Sequence, residues 1–483
     1  MQAAPSIECL REYVVGGDCQ VPLLDGSYAP YINFDNAAST PVLRPVYDTV
    51  NHFLHWYSSV HRGAGYKSRL ATKAYDDARE MVAEFVAARF DQHVVVFCRN
   101  TTEAINKLMR RLELGPDDVV LTTLMEHHSN DLPWRLQSHV RHTAVDQWGM
   151  LDEDDFDRQL ATYAGRVRLV AVTGASNVTG LVNPIHHLAE KAHAAGALIL
   201  VDAAQLAPHR QIRMLSLDDP RHLDYVALSA HKMYAPYGSG ALIGRRDCLE
   251  QGTPAEVGGG TVKIVTTDSV EWAALPDREE AGSPNVVGAV ALAAAMQTLQ
   301  SIGMESIAAH ERQLIAYALK RLAVVEGITL YGPKELVAGQ DRVGVISFNV
   351  HGVPHSKVAS ILSLEGGIGV RNGCFCAHPY VTFLLRLSDK ERQQYRAELQ
   401  AGDKSRVPGL VRISFGCYNT QDEVDVFVDI LRRIVAGEYQ GHYSLDPVTG
   451  DYVPDGFEAE FERVFSLRHN ALDILSSRQP ASS

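Results

Sequence analysis

The chain reads as an α/β protein: a large, mostly parallel sheet followed by a smaller α/β unit. Three observations predict this. Short β-branched runs alternate with helical patterns from about residue 94 onward. One helix between two such runs has agreeing end signals, with Asn183 as N-cap, Pro184 at the first helical position and Gly196 just past the end. Finally, polar residues cluster just beyond the strand ends, where parallel sheets hold their ligands.

In order, the runs are VVVFC (94–98), leading into the helical NTTEAINKLMRRL; VVLTT (119–123); RLVAVT (168–173); ALILVD (197–202); DYVALS (224–229); and GALIG (240–244). These are near-continuous apolar strands, as expected where both faces are covered. After about residue 290 the pattern changes. The alanine-rich GAVALAAAMQTLQSIG is expected to lead away from the sheet, and VGVISFNV and LVRISFG read as strands of a second unit. The expected organisation is an N-terminal segment 1–30, a large domain 31–290, a small C-terminal domain 291–436 and an extension 437–483. Within the extension, YSLDPVTGDYV reads as a hairpin and FEAEFERVFSLRHNAL as an amphipathic helix.

Composition narrows the class. At 46% hydrophobic and 21% charged residues the chain matches an ordinary soluble globular protein. A formal charge of −13 argues against a general nucleic-acid surface. The N-terminus MQAAPSIECLREYVV lacks a secretory pattern, and no apolar run approaches the roughly 18 residues a bilayer span needs. Seven unevenly spaced cysteines do not form a disulfide framework, which points to a reducing, cytoplasmic setting. No metal-ligand spacing stands out.

Lys232, in ALSAHKMYAPYGSG, follows an apolar strand, where partial desolvation would lower its pKa and suit it to Schiff-base chemistry. A surface lysine at a strand end is the plain alternative. Asp202 ends ALILVD and is placed to pair with a protonated pyridine nitrogen; an aspartate that caps a turn is equally common. Thr101 and Thr102 open the helix after VVVFCRN, as phosphate binders at a helix N-terminus or as N-caps. His127 in LMEHHSN is positioned to lie over an aromatic ring, and Asn177 (GASNVTG) and Gln205 (VDAAQ) to bond a phenolic oxygen. Each signal is weak alone, but together they describe one site for pyridoxal 5'-phosphate.

The ordered set NFDNAAST, SVHRGAG, RNTTEAIN, MEHHSN, SNVTG, VDAAQ, SAHK, EAGSPN, VRNGCFCAHP and RISFGCYNT resembles the class V aminotransferase superfamily. More narrowly, it is similar to type II cysteine desulfurases and selenocysteine-lyase-like enzymes, from about residue 31 to 432. The resemblance implies a fold-type I pyridoxal-phosphate enzyme with a seven-stranded sheet, acting as a homodimer with shared active sites. It implies Lys232 as the cofactor-bonding lysine with His231 beside it, Asp202 on the pyridine nitrogen and His127 stacked on the ring. Asn177 and Gln205 would bond the ring oxygen, and Thr102 and Ser229 the phosphate. Ser283 in EAGSPN would reach the neighbouring subunit's cofactor. Arg412 would bind the substrate carboxylate, with Arg371, Asn36, His61 and Arg62 lining the substrate side; surface ion pairs are the plain alternative for the arginines.

The family segment Arg-x-Gly-x-x-Cys-Ala fits Arg371, Gly373, Cys376 and Ala377, which makes Cys376 the implied sulfur acceptor in conversion of L-cysteine, or selenocysteine, to alanine. Cys374 departs from the pattern, falling where this branch often has a histidine. Gly-Cys-Phe-Cys also resembles the sulfurase domain of molybdenum-cofactor sulfurases, so the acceptor protein stays open. A free thiol has a pKa of about 8.5, so efficient attack calls for nearby positive charge or a proton acceptor; His128 and His378 are candidates. If the segment is extended, both thiols face one side, and Cys374 is then either a packing thiol or a persulfide relay. Two other readings stay open: an aminotransferase, epimerase or C–S lyase on another amino acid, and a sulfur-carrier scaffold with a vestigial site.

Overall fold

Seven strands form the large sheet: β1 (His93–Cys98), β2 (Val119–Thr123), β3 (His139–Thr143), β4 (Val167–Thr173), β5 (Leu198–Asp202), β6 (Tyr225–Ser229) and β7 (Gly240–Arg245). Their order is β1-β7-β6-β5-β4-β2-β3. β7 is antiparallel to both of its neighbours, and the pairs β2/β3, β2/β4, β4/β5 and β5/β6 are parallel. The computed structural model describes residues 7–335 and 339–469.

Both faces of this sheet are covered, which explains its unbroken apolar runs. On one face Val94, Val96, Leu169 and Leu200 pack against Ala104, Ile105 and Leu108. On the other, the alternate residues Val95, Val170, Val172, Ile199 and Val201 face Ala291, Leu292, Ala295 and Leu299. The helices involved are α1 (Arg44–Leu54), α2 (Tyr66–Phe85), α3 (Thr101–Leu112), α4 (Ile185–Ala194), α5 (Val286–Ile302) and α6 (Met304–Ala323).

Two expectations change here. The alanine-rich α5 does not lead away from the sheet; it lies on it, beneath α1 and α2, and residue 290 falls within the helix. A helix apolar on every face is a buried one, and α5 is such a helix. The handover between cores comes one helix later. Met304 and Ile307 of α6 belong to the large core, whereas Leu314, Ile315, Ala318, Leu319 and Leu322 belong to the small one. The second change is at α4, which starts at Ile185 with Pro184 in the N-cap position. Asn183 is not its cap, because its amide donates to the Thr173 carbonyl at 2.9 Å. Gly196 does lie past the end, at φ +77°.

The small sheet holds β8 (Ile328–Tyr331), β9 (Val345–Val350), β10 (Arg371–Gly373) and β11 (Leu410–Ser414) in the order β8-β9-β11-β10, all antiparallel. Phe348, Ile413, Phe415 and Phe427 fill its core together with Ile32 and Phe34 from the N-terminal side. In the extension, β12 (Tyr443–Leu445) and β13 (Tyr452–Pro454) form the expected hairpin. The expected amphipathic helix is only a turn at Phe461–Val464 and another that starts at residue 467, with residues 470 onward outside the described range. Phe461, Val464, Phe465 and Leu467 are exposed. No single described helix is long and apolar enough to cross a membrane.

One buried carboxylate ties α2 to the sheet edge and to the segment before α5. Glu280 accepts both Arg79 guanidinium nitrogens at 2.8 and 3.0 Å, the Tyr75 hydroxyl at 2.6 Å and the Phe97 N–H at 2.7 Å. Glu280→Ala would strand a buried guanidinium, so it is expected to lower the free energy of unfolding by about 3 kcal/mol or more in a denaturant titration; an unchanged midpoint contradicts this.

Candidate active site

A cavity of about 300 Å³ opens at the carboxyl end of the parallel strands. Adjacent strands deliver its two central charges. Asp202 is the last residue of β5, and Lys232 ends the 3₁₀ turn Ala230–Lys232 that follows β6. Burial pushes the Lys232 amine down to about 8, opposed by the Asp202 carboxylate. Asp202 is itself raised by burial, and one of its oxygens accepts the Ala204 N–H at 2.9 Å. Among the described residues no ion pair neutralises it.

The N-terminus of α3 faces the same space. Asn100 caps it by accepting the Glu103 N–H, so the threonines are not the caps. Thr101 gives its N–H to Ser229 Oγ at 2.8 Å and shares a hydroxyl bond with it, while Thr102 Oγ1 bonds Ser129 Oγ at 2.7 Å. Thr101, Thr102, Ser229 and His231 all line the cavity. His127 lines it as well, its Nδ1 accepting from the Ser129 N–H at 3.1 Å. Burial pushes His127 down to about 3 and His231 down to about 4, so both rings are neutral near pH 7.

The small unit supplies the opposite wall: Arg371, Phe375, Cys376 and Arg412. Arg412 is buried, and burial pushes it down to about 10. It donates to the Asn177 carbonyl at 3.0 Å and to Asp35 at 3.1 Å, and it stands over the Phe375 ring at 4.8 Å. Arg371 takes the other Asp35 oxygen at 2.8 Å. Two guanidinium groups on one carboxylate leave a net charge of +1. The Arg412 Nε is buried without a partner among the described residues.

The Cys-x-Cys segment is not extended. Phe375 and Cys376 both adopt left-handed backbone conformations, at φ +51° and +55°. Such angles are uncommon outside glycine and persist only where neighbours enforce them. Here the Asn177 side-chain amide donates to the Phe375 carbonyl at 2.8 Å, and the His128 N–H to the Cys376 carbonyl at 2.7 Å. The turn separates the two thiols. Cys376 is exposed and lines the cavity. Cys374 is buried among Met125, Tyr380, Val381 and Leu410, its thiol donating to the Pro408 carbonyl at 2.9 Å. Burial pushes Cys374 up to about 12. Cys19, Cys98, Cys248, Cys374, Cys376 and Cys417 are all free.

Several residues expected at the site have other work within one chain. The Gln205 amide donates to the Ala37 carbonyl at 2.7 Å, although Gln205 and Asn177 do line the cavity. Asn36 does not line it; its amide is buried among the Asn33 and Ser414 carbonyls and Asn419 Oδ1. His61 and Arg62 are exposed and do not line the cavity, and the His61 ring stands edge-on to Tyr75. Ser283 is exposed and absent from the lining. His128 and His378 stack on each other at 4.9 Å and share a 3.1 Å nitrogen contact, both lowered by burial.

Three residues carry the site without having been singled out in the sequence. Asp35 bridges the arginines. Thr40 bonds the His231 carbonyl through its N–H at 2.9 Å and through its hydroxyl at 3.1 Å, holding the lysine turn. Glu126, raised to about 8 by burial, accepts from Thr123, Asn130 and the Thr173 N–H and so fixes the loop that carries His127. Their signal was present: all three fall inside the short polar segments NFDNAAST and MEHHSN.

Residues 32–427 match the family model described as aminotransferase class-V. The chain belongs to the class V aminotransferase family. Among its relatives, a cysteine desulfurase from Haloferax volcanii is 37% identical over 432 residues, covering 87% of this chain and 94% of the relative. One from Dickeya dadantii is 37% identical over 412 residues, covering 84% and 92%. Among solved structures, the apo cysteine desulfurase of Thermococcus onnurineus NA1 superposes with a TM-score of 0.77 at 30% identity, covering 90% of this chain and all of that one. Within this class V chain the two neighbouring thiols differ in access, Cys376 being exposed and Cys374 buried, and burial holds Cys374 as a neutral thiol. Iodoacetamide at pH 8 is therefore expected to label Cys376 at least about tenfold faster than Cys374 by peptide mass spectrometry; equal rates contradict the assigned burial.

Proposed function

We propose that the protein is a pyridoxal 5'-phosphate-dependent cysteine desulfurase that converts L-cysteine to L-alanine and leaves a persulfide on Cys376. The single observation that carries this reading is an exposed thiol, Cys376, held in a strained turn on the wall of the cavity that contains Lys232 and Asp202. The relatives named cysteine desulfurase support the same activity.

The cavity residues fit the cofactor. Asp202 offers a buried carboxylate with no ion-pair partner among the described residues, which suits a ring N–H⁺. Thr101, Thr102 and Ser229 stand at the α3 N-terminus, where a phosphate is favoured. The neutral His127 suits stacking on a ring, and Asn177, Gln205 and His231 complete the lining. When bound, the cofactor supplies an electrophilic carbon for amines and a sink for the electron pair of the substrate Cα–H bond.

The chain's own residues account for the remaining steps. Arg412, helped by Arg371, binds the substrate carboxylate with the net positive charge left over from Asp35. Lys232 Nζ, with its pKa near 8, moves the proton from Cα. Asp202 holds its charge against the ring nitrogen throughout. Cys376 would attack the substrate sulfur as a thiolate, within electrostatic reach of both Lys232 and Arg412. The S–S bond forms as the substrate Cβ–S bond breaks; the electron pair stays with the carbon skeleton and is protonated there, and alanine leaves. The Phe375 ring and the Arg412 guanidinium close one side of the cavity against water. Cys374 faces the separate apolar cluster of Met125, Val178, Tyr380 and Leu410 on the other side of the turn and serves as a packing thiol.

The active unit is a homodimer in which Ser283 of a second copy reaches the cofactor phosphate; its exposure and its absence from the lining of its own cavity support that reading. His61 and Arg62, equally exposed, would contribute only from the substrate entrance. The sulfur then passes to a protein acceptor.

Incubation with L-cysteine is expected to yield alanine, with persulfide on Cys376 in trapped peptides. Cys376→Ala should abolish both, and Cys374→Ser should retain both. Pyruvate and ammonia as products, or activity that survives Cys376→Ala, would overturn the proposal. Uptake of cofactor by the apoprotein is expected to quicken as pH rises through about 8, because only the neutral Lys232 amine is nucleophilic. A rate that stays flat across that range would contradict the lysine's assignment.

A further inference from the structure

Beyond the thiol turn the chain builds a groove that the steps above leave unused. Helix α7 (His378–Leu384) starts two residues after Cys376, and α8 (Asp389–Gln400) follows it. Ser388 and Glu391 form a reciprocal capping box at the start of α8, yet none of its twelve residues is buried. The inner face of α8 does not close on the body. Arg392, Tyr395, Arg396 and Leu399, spaced to share one side of a helix, line a cavity of about 400 Å³ instead. His378, Leu387 and Pro408 supply the other side. A second cavity of about 580 Å³ shares Leu387 and Arg392 with the first and adds Phe383 and Arg386.

Charge, apolar surface and position select what this groove takes. Among the described residues, neither lining holds a carboxylate. Arg396 has no carboxylate partner among them, and Arg392 has only an exposed contact with Asp389 at 3.2 Å, which costs little to replace. In a chain whose formal charge is −13 this is a local reversal of sign, and such a patch attracts an acidic partner and repels a basic one. Leu399 and Phe383 are 43% and 37% exposed, so a partner also gains by covering apolar surface. The lining reaches His378 but not Cys376. A thiol that meets Cys376 from this seat is therefore carried on a chain that fills the groove, not on a small molecule. The groove is also joined to the thiol turn. The Pro408 carbonyl accepts the Cys374 thiol at 2.9 Å, and the neighbouring Val407 carbonyl accepts from His355 Nε2 at 2.9 Å.

Resting on the Cys376 persulfide proposed above, we propose that this groove docks the sulfur acceptor, a protein whose thiol lies beside an acidic segment bearing leucine- or phenylalanine-like side chains. The acceptor thiolate attacks the outer sulfur of the persulfide, and a new S–S bond forms to that sulfur as its bond to Cys376 Sγ breaks. Cys376 leaves as a thiolate, the proton of the acceptor thiol goes to solvent, and no oxidant is consumed.

The test uses the full-length protein loaded with pyridoxal 5'-phosphate and supplied with L-cysteine. It compares dithiothreitol, the peptide Leu-Glu-Phe-Asp-Leu-Glu-Gly-Cys, and the same peptide with lysine at each acidic position. Sulfur transfer at about 50 mM salt is expected to be at least about tenfold faster to the acidic peptide than to the lysine peptide, narrowing to about twofold at about 500 mM. In the double variant Arg392→Glu, Arg396→Glu the preference should reverse, while alanine formation with dithiothreitol stays unchanged and shows that the variant is folded. Leu399→Ser should raise the half-saturating concentration of the acidic peptide and leave the dithiothreitol rate alone. Equal rates for the peptides, or an acidic preference that survives the double variant, would overturn the groove as the docking site. A double variant that turns the protein into monomers assigns the groove to a second copy and overturns it as well. If no acceptor supports alanine formation, dithiothreitol included, the desulfurase reading itself falls and this proposal falls with it.

Discussion

Arg412 is the contact on which the cavity depends. It lies on β11 of the small unit, yet its guanidinium donates into the loop after β4 through the Asn177 carbonyl and into the N-terminal segment through Asp35. Its flat face rests on Phe375. A planar cation with fixed donor directions can hold three separate segments in register, which a lysine's point charge could not do. Asn177 completes the circuit, because the same residue that accepts from Arg412 also donates to the Phe375 carbonyl. The wall carrying the exposed thiol is thereby attached to the sheet that carries the lysine, and the left-handed backbone of Phe375 and Cys376 is kept in place by these bonds.

The charges around the cavity follow from burial acting on groups of opposite sign. Burial disfavours ionisation, lowering Lys232 and Arg412 and raising Asp202 and Glu126. Lys232 and Asp202 oppose these shifts in each other because adjacent parallel strands end side by side. Arg371 and Arg412 share Asp35, and the result is a site with one surplus positive charge on the side of the small unit. A cavity poised this way favours an anionic amino-acid end on one wall and a cationic ring nitrogen against the other.

Much of this was legible in the sequence, for physical reasons. Apolar β-branched runs separated by helical patterns have few packing solutions, so the sheet and the strand-end positions of Asp202, Ser229 and Lys232 could be read directly. The ends of α4 could be read only to within a residue, because Asn183 had a competing use on the Thr173 carbonyl. The path of α5 was misread because an alanine-rich run does not show whether it is buried against its own sheet or a neighbouring unit. Asp35 and Thr40 escaped notice because their partners lie hundreds of residues away and no local spacing reveals them. His61, Arg62 and Ser283 are exposed in one chain, and whatever faces them is not encoded nearby.

The two cysteines show where local reasoning reaches its limit. Strand periodicity places residues two apart on one face, and on that rule Cys374 and Cys376 would share an environment. Two consecutive left-handed residues replace the extended path, so the thiols are sorted to opposite sides of a one-residue step. On the inner side, the Pro408 carbonyl and the apolar cluster around Tyr380 and Leu410 hold Cys374 as a neutral thiol. On the outer side, Cys376 meets the cavity where Lys232 and Arg412 set the electrostatics. Transfer of sulfur between them would require this turn to open, breaking the bonds from Asn177 and His128 and leaving their buried or half-buried donors unpaired. In this geometry the second thiol packs with the groups on the inner side of the turn and does not face the cavity.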